Sequence, residues 1–332
     1  MTERLKRIEQ WLRQLIDAPS FEIRPASNDA SFRRYWRVSY NGATRIVMDA
    51  PPDKEDCRPF IDISNRLLAA GVNVPQVLGE DLEQGFLLLT DLGNHLYLHR
   101  LNEDSVEGLY GDAIERLIAM QADADTTGLP PYDRRLLMQE MELFRVWLVG
   151  RELGLDLGAQ QQTALDQAFD FLAESALSQP RVFVHRDYHS RNLLVREKNN
   201  PGVLDFQDAV FGPVSYDLVS LLRDCYIRWP PARVHRWALS FYEEARVQKI
   251  IRGVDKDQFL RWFDLMGVQR HLKASGIFAR LWHRDGKAGY LKDISKTLGY
   301  IVEVSQGYPE LAELHRILVE LVVPKIEHKN YV

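Results

Sequence analysis

The 332-residue chain is poor in cysteine: Cys57 and Cys225 stand alone, far apart and at no metal-ligand spacing. That excludes a cysteine-built metal site and fits a reducing cytoplasm. No apolar run approaches membrane-spanning length, so no membrane partner is expected. Met1-Thr2-Glu3-Arg4-Leu5-Lys6 leads into a charged amphipathic pattern and not into a signal peptide. A basic stripe is missing too. Net charge is −5, with acids and bases interspersed, and nucleic acid is not an expected partner. Internal repeats and low-complexity segments are absent. At 45% hydrophobic residues, the chain can bury a full core in two lobes.

The densest chemistry lies at His185-Arg186-Asp187-Tyr188-His189-Ser190-Arg191-Asn192, followed by Leu204-Asp205-Phe206-Gln207. Phosphoryl transfer is mostly positioning and charge neutralisation. It needs one carboxylate facing the acceptor hydroxyl and oxygen ligands for magnesium at a fixed distance. Asp187 and, five residues on, Asn192 place base and metal ligand on one tight loop, and Asp205 supplies a second ligand. Arg181–Val184 reads as a strand ahead of the loop. Residues 193–195 and 202–204 read as a hairpin, which brings Asn192 and Asp205 together. A loop whose Asp and Asn only satisfy turns is the competing reading. The chain carries its own control, because Trp282-His283-Arg284-Asp285 repeats the tripeptide with Tyr290 where the asparagine belongs. That copy reads as a helix end or turn.

Residues Val184 to Leu222 resemble the aminoglycoside phosphotransferase and choline kinase superfamily, including the Gly212-Pro213-Val214-Ser215-Tyr216-Asp217-Leu218 continuation. The resemblance implies an α+β, bilobal protein-kinase-like fold with a small antiparallel β lobe and a mainly helical lobe. It also implies ATP and Mg2+ as cofactors, Asp187 as catalyst, Asn192 and Asp205 as metal ligands, and His185 and Asp217 as braces of the catalytic loop. Protein-phosphorylating kinases carry a long activation segment after the magnesium aspartate. Here the apolar run Tyr216–Leu222 begins too soon after Asp205 for one, and no Ala-Pro-Glu element follows, so the acceptor is a small molecule.

The expected organisation is a nucleotide-binding lobe over residues 1–92 and a catalytic, substrate-binding lobe over 93–332. Leu5, Ile8, Leu12, Leu15 and Ile16 predict an amphipathic helix over 2–16. Strands are expected at 21–24, 35–40 and 44–48, the last two joined by Asn41-Gly42, a two-residue hairpin signal. A helix over 57–70 closed by Gly71 and strands at 74–78 and 85–89 follow. Thr90-Asp91-Leu92-Gly93 reads as the hinge, with backbone groups toward the adenine edge.

Two departures concern the nucleotide. The loop 26–34 lacks Gly-x-Gly-x-x-Gly, although small residues let its backbone approach a phosphate and Arg33 or Arg34 brings charge. Strand three, Arg45-Ile46-Val47-Met48-Asp49, has Met48 or Asp49 where the superfamily holds a lysine; either Lys54, Arg33 or Arg34 substitutes, or the metal ions carry more of the charge. The nucleotide-binding set is therefore Ser31, Phe32, Arg33, Met48, Thr90 and Leu92. The loop Asp29-Ala30-Ser31-Phe32-Arg33-Arg34 and the strand end Met48-Asp49-Ala50-Pro51-Pro52 resemble bacterial sugar kinases of cell-wall recycling. That likeness implies the anomeric hydroxyl of an amino sugar, N-acetylmuramate or N-acetylglucosamine, as acceptor.

Helical periodicity fills the second half, with helices expected at 106–120, 136–153, 159–177, from 233 onward, 259–281 and 311–323. Arg270 and Lys273 share a helical face. They are either a solvated face or the rim of the sugar pocket, where a cation meets a substrate carboxylate, a role for which Arg191 competes. Two other functions remain open. An aminoglycoside antibiotic kinase would want an acidic pocket, and a pseudokinase has the missing lysine in its favour.

Overall fold

The computed structural model describes residues 3–27 and 33–329. Helix α1 (Glu3–Leu15) precedes strands β1 (Glu22–Ser27), β2 (Arg34–Tyr40) and β3 (Ala43–Asp49), then helix α2 (Arg58–Ala69) and strands β4 (Val77–Asp81) and β5 (Phe86–Thr90). The five strands form one antiparallel sheet in the order β1-β2-β3-β5-β4. Asn41 and Gly42 both take positive φ, 48° and 73°, the mirror-image turn that matches the twist of a tight hairpin.

Two strands differ from their sequence limits. β4 starts at Val77 and not at Val74, because Pro75 has no N–H to give; the Gln76 amide instead bonds the Thr90 hydroxyl. β1 runs past Arg24 through Pro25 to Ser27, tolerated because β1 is an edge strand with an irregular register there.

The two faces of the sheet bury different neighbours. On the outer face Ile8, Trp11, Leu12 and Ile16, from α1 and just beyond it, pack with Val38, Val47, Phe86 and Leu88 as a small separate core. Arg4 pins α1 to this face by pairing with the buried Asp49. On the inner face Met48, Leu87 and Leu89 join Phe60, Ile63 and Leu67 of α2 and the main core.

The remainder is mostly helical. Helices α3 (Val106–Asp123), α4 (Arg134–Leu143) and α5 (Ala159–Leu177) come first, and α4 continues as a π-helical segment over Phe144–Glu152. Strands β6 (Arg181–Val184), β7 (Leu193–Leu194), β8 (Gly202–Val203) and β9 (Val210–Pro213) pair as β6–β9 and β7–β8. Helices α6 (Tyr216–Leu222), α7 (Pro231–Val247), α8 (Lys256–Asp285), α9 (Asp293–Ser305), α10 (Ala312–Ile317) and α11 (Val323–Lys329) complete the chain. The expected helix at 311–323 is thus divided by a π-helical turn at Leu318–Val322.

Helix α8 spans 30 residues and crosses α4 and its π-helical continuation. At the crossing is Gly276, where an added Cβ would lie 2.2 Å from the Leu143 carbonyl carbon. The second His-Arg-Asp copy is the last turn of α8, closed by Gly286 at φ 68°. Among the described residues no helix is long and apolar enough to cross a membrane.

Candidate active site

The catalytic loop is built on a frame of main-chain bonds. Asp217, at the start of α6, accepts the His185 and Arg186 amides at 2.6 and 2.9 Å. Asp224 does the same lower down, taking the Ser190 amide at 3.0 Å and the Tyr226 amide at 2.9 Å. The Asp187 amide donates to His185 Nδ1 at 3.2 Å. Burial lowers the His185 imidazole to about 4, so it is neutral at pH 7. Burial acts oppositely on Asp217, raising its carboxyl to about 7 against the pull of the two amides.

Asn192 and Asp205 meet across the β7–β8 hairpin. Asn192 Nδ2 lies 3.0 Å from the Asp187 carbonyl and 3.5 Å from Asp205 Oδ2, while the Leu204 amide bonds the Asn192 carbonyl at 2.9 Å. Gln207 Nε2 holds the other Asp205 oxygen at 2.9 Å. Two non-glycine residues here adopt left-handed backbone, Arg186 at φ 77° and Asp205 at φ 64°. Such strain persists only where the surroundings over-determine it, as at a working site.

Asp187, Asn192 and Asp205 lie in one cleft of about 1010 Å³ between the sheet and the helical part. The Asp187 carboxyl opens to it with its side chain 41% exposed. Partial burial pushes that carboxyl up, but the fields of Lys273, His189, Arg270 and Arg186 outweigh it and hold Asp187 below the usual carboxylate range. It is therefore ionised at neutral pH. Behind it, buried Glu140 gathers Arg186, Lys273 (3.0 Å) and the Tyr132 hydroxyl. Its carboxyl, raised by burial, is brought below the usual range by Lys273 and Arg186.

The sheet side of the cleft is lined by Tyr35, Arg37, Ile46, Leu89, Thr90 and Leu92, among others. Met48 stays fully buried beneath it, so Ile46 is the β3 side chain that reaches the cleft. Asp49 points the other way, to Arg4. Arg33 enters the cleft and pairs with Glu55 at 3.1 Å, within the fields of Asp205 and Asp208. Ser31 and Phe32 lie outside the described residues. At the hinge, Arg37 grips Asp91 at 2.6 and 3.1 Å, and Asp91 caps the Gly93 amide at 2.8 Å.

The α8 cations do not form a solvated face: every residue from Gln269 to Lys273 is buried. Arg270 and Lys273 line the far half of the cleft, with Arg280 and Arg284 further along the same helix. Arg191 faces them, its guanidinium 3.8 Å from the Tyr226 ring centre. Glu55, Tyr226 and Glu140 have no sequence motif of their own, and Gln207 stands in the Leu204–Gln207 motif without a role read for it. Only the position of Glu55 just ahead of α2, across from a strand without lysine, offered a signal.

Asn192 and Asp205 present one amide and one carboxylate oxygen. That donor set fits Mg2+, which keeps several waters and shares phosphate oxygens. Among the described residues no three His, Cys, Asp or Glu side chains converge as a protein-only cage.

An antiparallel five-stranded sheet over a helical body, with an aspartate loop and the Asn192–Asp205 hairpin between them, defines a protein-kinase-like phosphotransferase of small molecules. The match of residues 22–250 to the phosphotransferase enzyme family (APH) makes the assignment specific: the chain belongs to that family and is a kinase. It is 46% identical over 328 residues to a Pseudomonas putida protein named N-acetylmuramate/N-acetylglucosamine kinase, covering 96% of each. It is 43% identical over 325 residues to a Neisseria meningitidis protein of the same name, again covering 96% of each. Solved structures share the fold at low identity. An ADP-bound aminoglycoside phosphotransferase aligns at TM-score 0.59 and 14% identity, covering 90% of this chain and 98% of that one. A choline kinase from Streptococcus pneumoniae aligns at 0.61 and 13%, covering 91% and 100%.

Proposed function

We propose that the enzyme transfers the γ-phosphoryl group of ATP to the anomeric hydroxyl of N-acetylmuramate or N-acetylglucosamine, in the cytoplasm, as a step in reusing cell-wall sugars. The observation that carries the chemistry is the meeting of Asp187, Asn192 and Asp205 in one cleft. The names of relatives at 43–47% identity support the acceptor.

In this reading residues 1–92 bind the nucleotide, and residues 93–332 carry the catalytic groups and the sugar. Thr90 and Leu92 face the base, while Arg33, braced by Glu55, supplies the charge that strand three lacks. Asn192 and Asp205 would hold Mg2+, which would offset charge on the phosphates. Asp187 accepts a hydrogen bond from the acceptor hydroxyl, orients it and takes its proton as the new oxygen–phosphorus bond forms and the bond from the γ-phosphorus to the departing ADP breaks. A carboxylate held below the usual range is a weak base, so orientation is its larger share. His185 and Asp217 hold the loop, and Arg191, Arg270 and Lys273 surround the sugar. The cationic far half does not suit a polycationic antibiotic.

ATP consumption with N-acetylmuramate, N-acetylglucosamine, a 1-O-methyl glycoside and kanamycin tests the proposal. Turnover of the free sugars and not of the blocked glycoside is the expected result. Kanamycin turnover alone would move the enzyme to the antibiotic kinases.

A further inference from the structure

Two cations lie side by side on α8 in the acceptor half of the cleft, and they differ in what neutralises them. Lys273 is committed: Glu140 stands at 3.0 Å and the Tyr216 hydroxyl at 2.8 Å. Arg270, three residues earlier, is 6% exposed and lines the same cleft. No carboxylate among the described residues pairs with it. Its Nη1 reaches only the Cys225 sulfur, at 3.8 Å, and its Nε is buried without a protein partner. Asp187 and Asp224 act on it through their fields alone.

A guanidinium is a fork of fixed donors, and burying one without a hydrogen-bonding anion is costly. The fork therefore fits an anion that arrives with a ligand. The nucleotide phosphates have Arg33 and the metal pair on the other side of the cleft. That leaves the acceptor as the source.

The surroundings fit a sugar carrying an acid. Tyr226, Phe278 and Tyr290 form an aromatic wall in the same cleft as Arg270, with Phe278 and Tyr290 stacked at 5.8 Å. Such a wall suits the apolar face of a pyranose ring. Arg191 is held against it over Tyr226. N-acetylmuramate is N-acetylglucosamine with a lactyl ether that ends in a carboxylate.

We propose that Arg270 is the carboxylate subsite of the acceptor pocket and gives the enzyme a preference for N-acetylmuramate over N-acetylglucosamine. This rests on the amino-sugar kinase reading and adds its selectivity. N-acetylglucosamine occupies the same ring position without the charged contact.

The test compares N-acetylmuramate with its methyl ester and with N-acetylglucosamine, by calorimetric binding and by steady-state turnover. Wild type, Arg270→Gln, Arg270→Lys and Arg191→Gln are measured. A charge-assisted bidentate contact predicts that wild type favours the acid over the ester by about tenfold or more. Arg270→Gln should bring that ratio close to one, Arg270→Lys should keep part of it, and Arg191→Gln should retain it. An unchanged ratio in Arg270→Gln, a ratio lost in Arg191→Gln alone, or no acid preference in wild type would overturn the proposal. If Arg270→Gln fails to fold, the wild-type, Arg270→Lys and Arg191→Gln ratios decide. Absence of phosphoryl transfer to every sugar would remove the kinase reading, while the binding ratio would still judge Arg270.

Discussion

The Asp217 carboxylate accepts the main-chain N–H of His185 at 2.6 Å from inside the core. Burial raises that carboxyl to about 7, above its unfolded value, so between pH 4 and 7 the folded state binds the extra proton. Its contribution is present at low pH and is lost as pH rises through 7. His185 and His271, lowered by burial to about 4 and about 3, contribute the opposite slope below pH 6.5. Asp217→Asn should remove the Asp217 part alone. Urea unfolding of both proteins from pH 5 to 7.5 should show the wild type losing stability relative to Asp217→Asn as pH rises; parallel curves would contradict the raised carboxyl.

Asp187→Asn removes the charge proposed to face the acceptor and leaves the hinge and the Asn192–Asp205 hairpin intact. Turnover should fall by about a thousandfold, the middle of the range for a general base. Nucleotide affinity should stay within a few-fold, read by titration. Near-native turnover would mean that the loop is not the active one.

Magnesium should be required. Chelation is expected to abolish ATP consumption, and added Mg2+ to restore it. Asp205→Asn removes the one negative charge of the Asn192–Asp205 pair, and the Mg2+ concentration for half-maximal turnover should rise by roughly tenfold or more. A Mg2+ dependence like that of wild type would place the metal elsewhere.

Arg33→Met should raise the KM for ATP by about tenfold, the loss of one charge-assisted contact, with a smaller effect on the KM of the sugar. Arg33→Lys should recover part of it, and Glu55→Gln should show a milder version. Equal rises in both KM values would argue for a general distortion of the cleft.

Gly276→Ala should destabilise by about 2 kcal/mol or more, because its Cβ would overlap the Leu143 carbonyl group, and backbone cannot yield as a side chain does. A shift in the urea midpoint at constant slope measures it.

The turn at Asn41-Gly42, the β7–β8 hairpin and the helix over 58–69 were legible because each depends on local chemistry: a two-residue positive-φ turn, a loop of fixed spacing, a periodic stripe. The neighbours of Asp187 were less so. Glu140 lies 47 positions earlier and Lys273 86 positions later, and nothing local in either helix says that they share a buried bond. The cations of α8 left two readings open, a solvated face and a pocket rim, because sequence counts charges and cannot see what covers them. Gly276 carried a faint signal, since a glycine inside a long helix costs about 1 kcal/mol and calls for a packing reason. The path of β4 turned on which amide Pro75 could not offer.

The sheet also divides the interior in two. Ile8, Trp11, Leu12 and Ile16 belong to a layer that the strands seal off from the cleft. That outer layer is the smaller cooperative unit and should exchange its amides first, opening without the main core. Occupancy of the cleft therefore does little to slow exchange in α1, and an assay that reads unfolding only at Trp11 would miss the stabilisation a bound substrate gives to the rest of the enzyme.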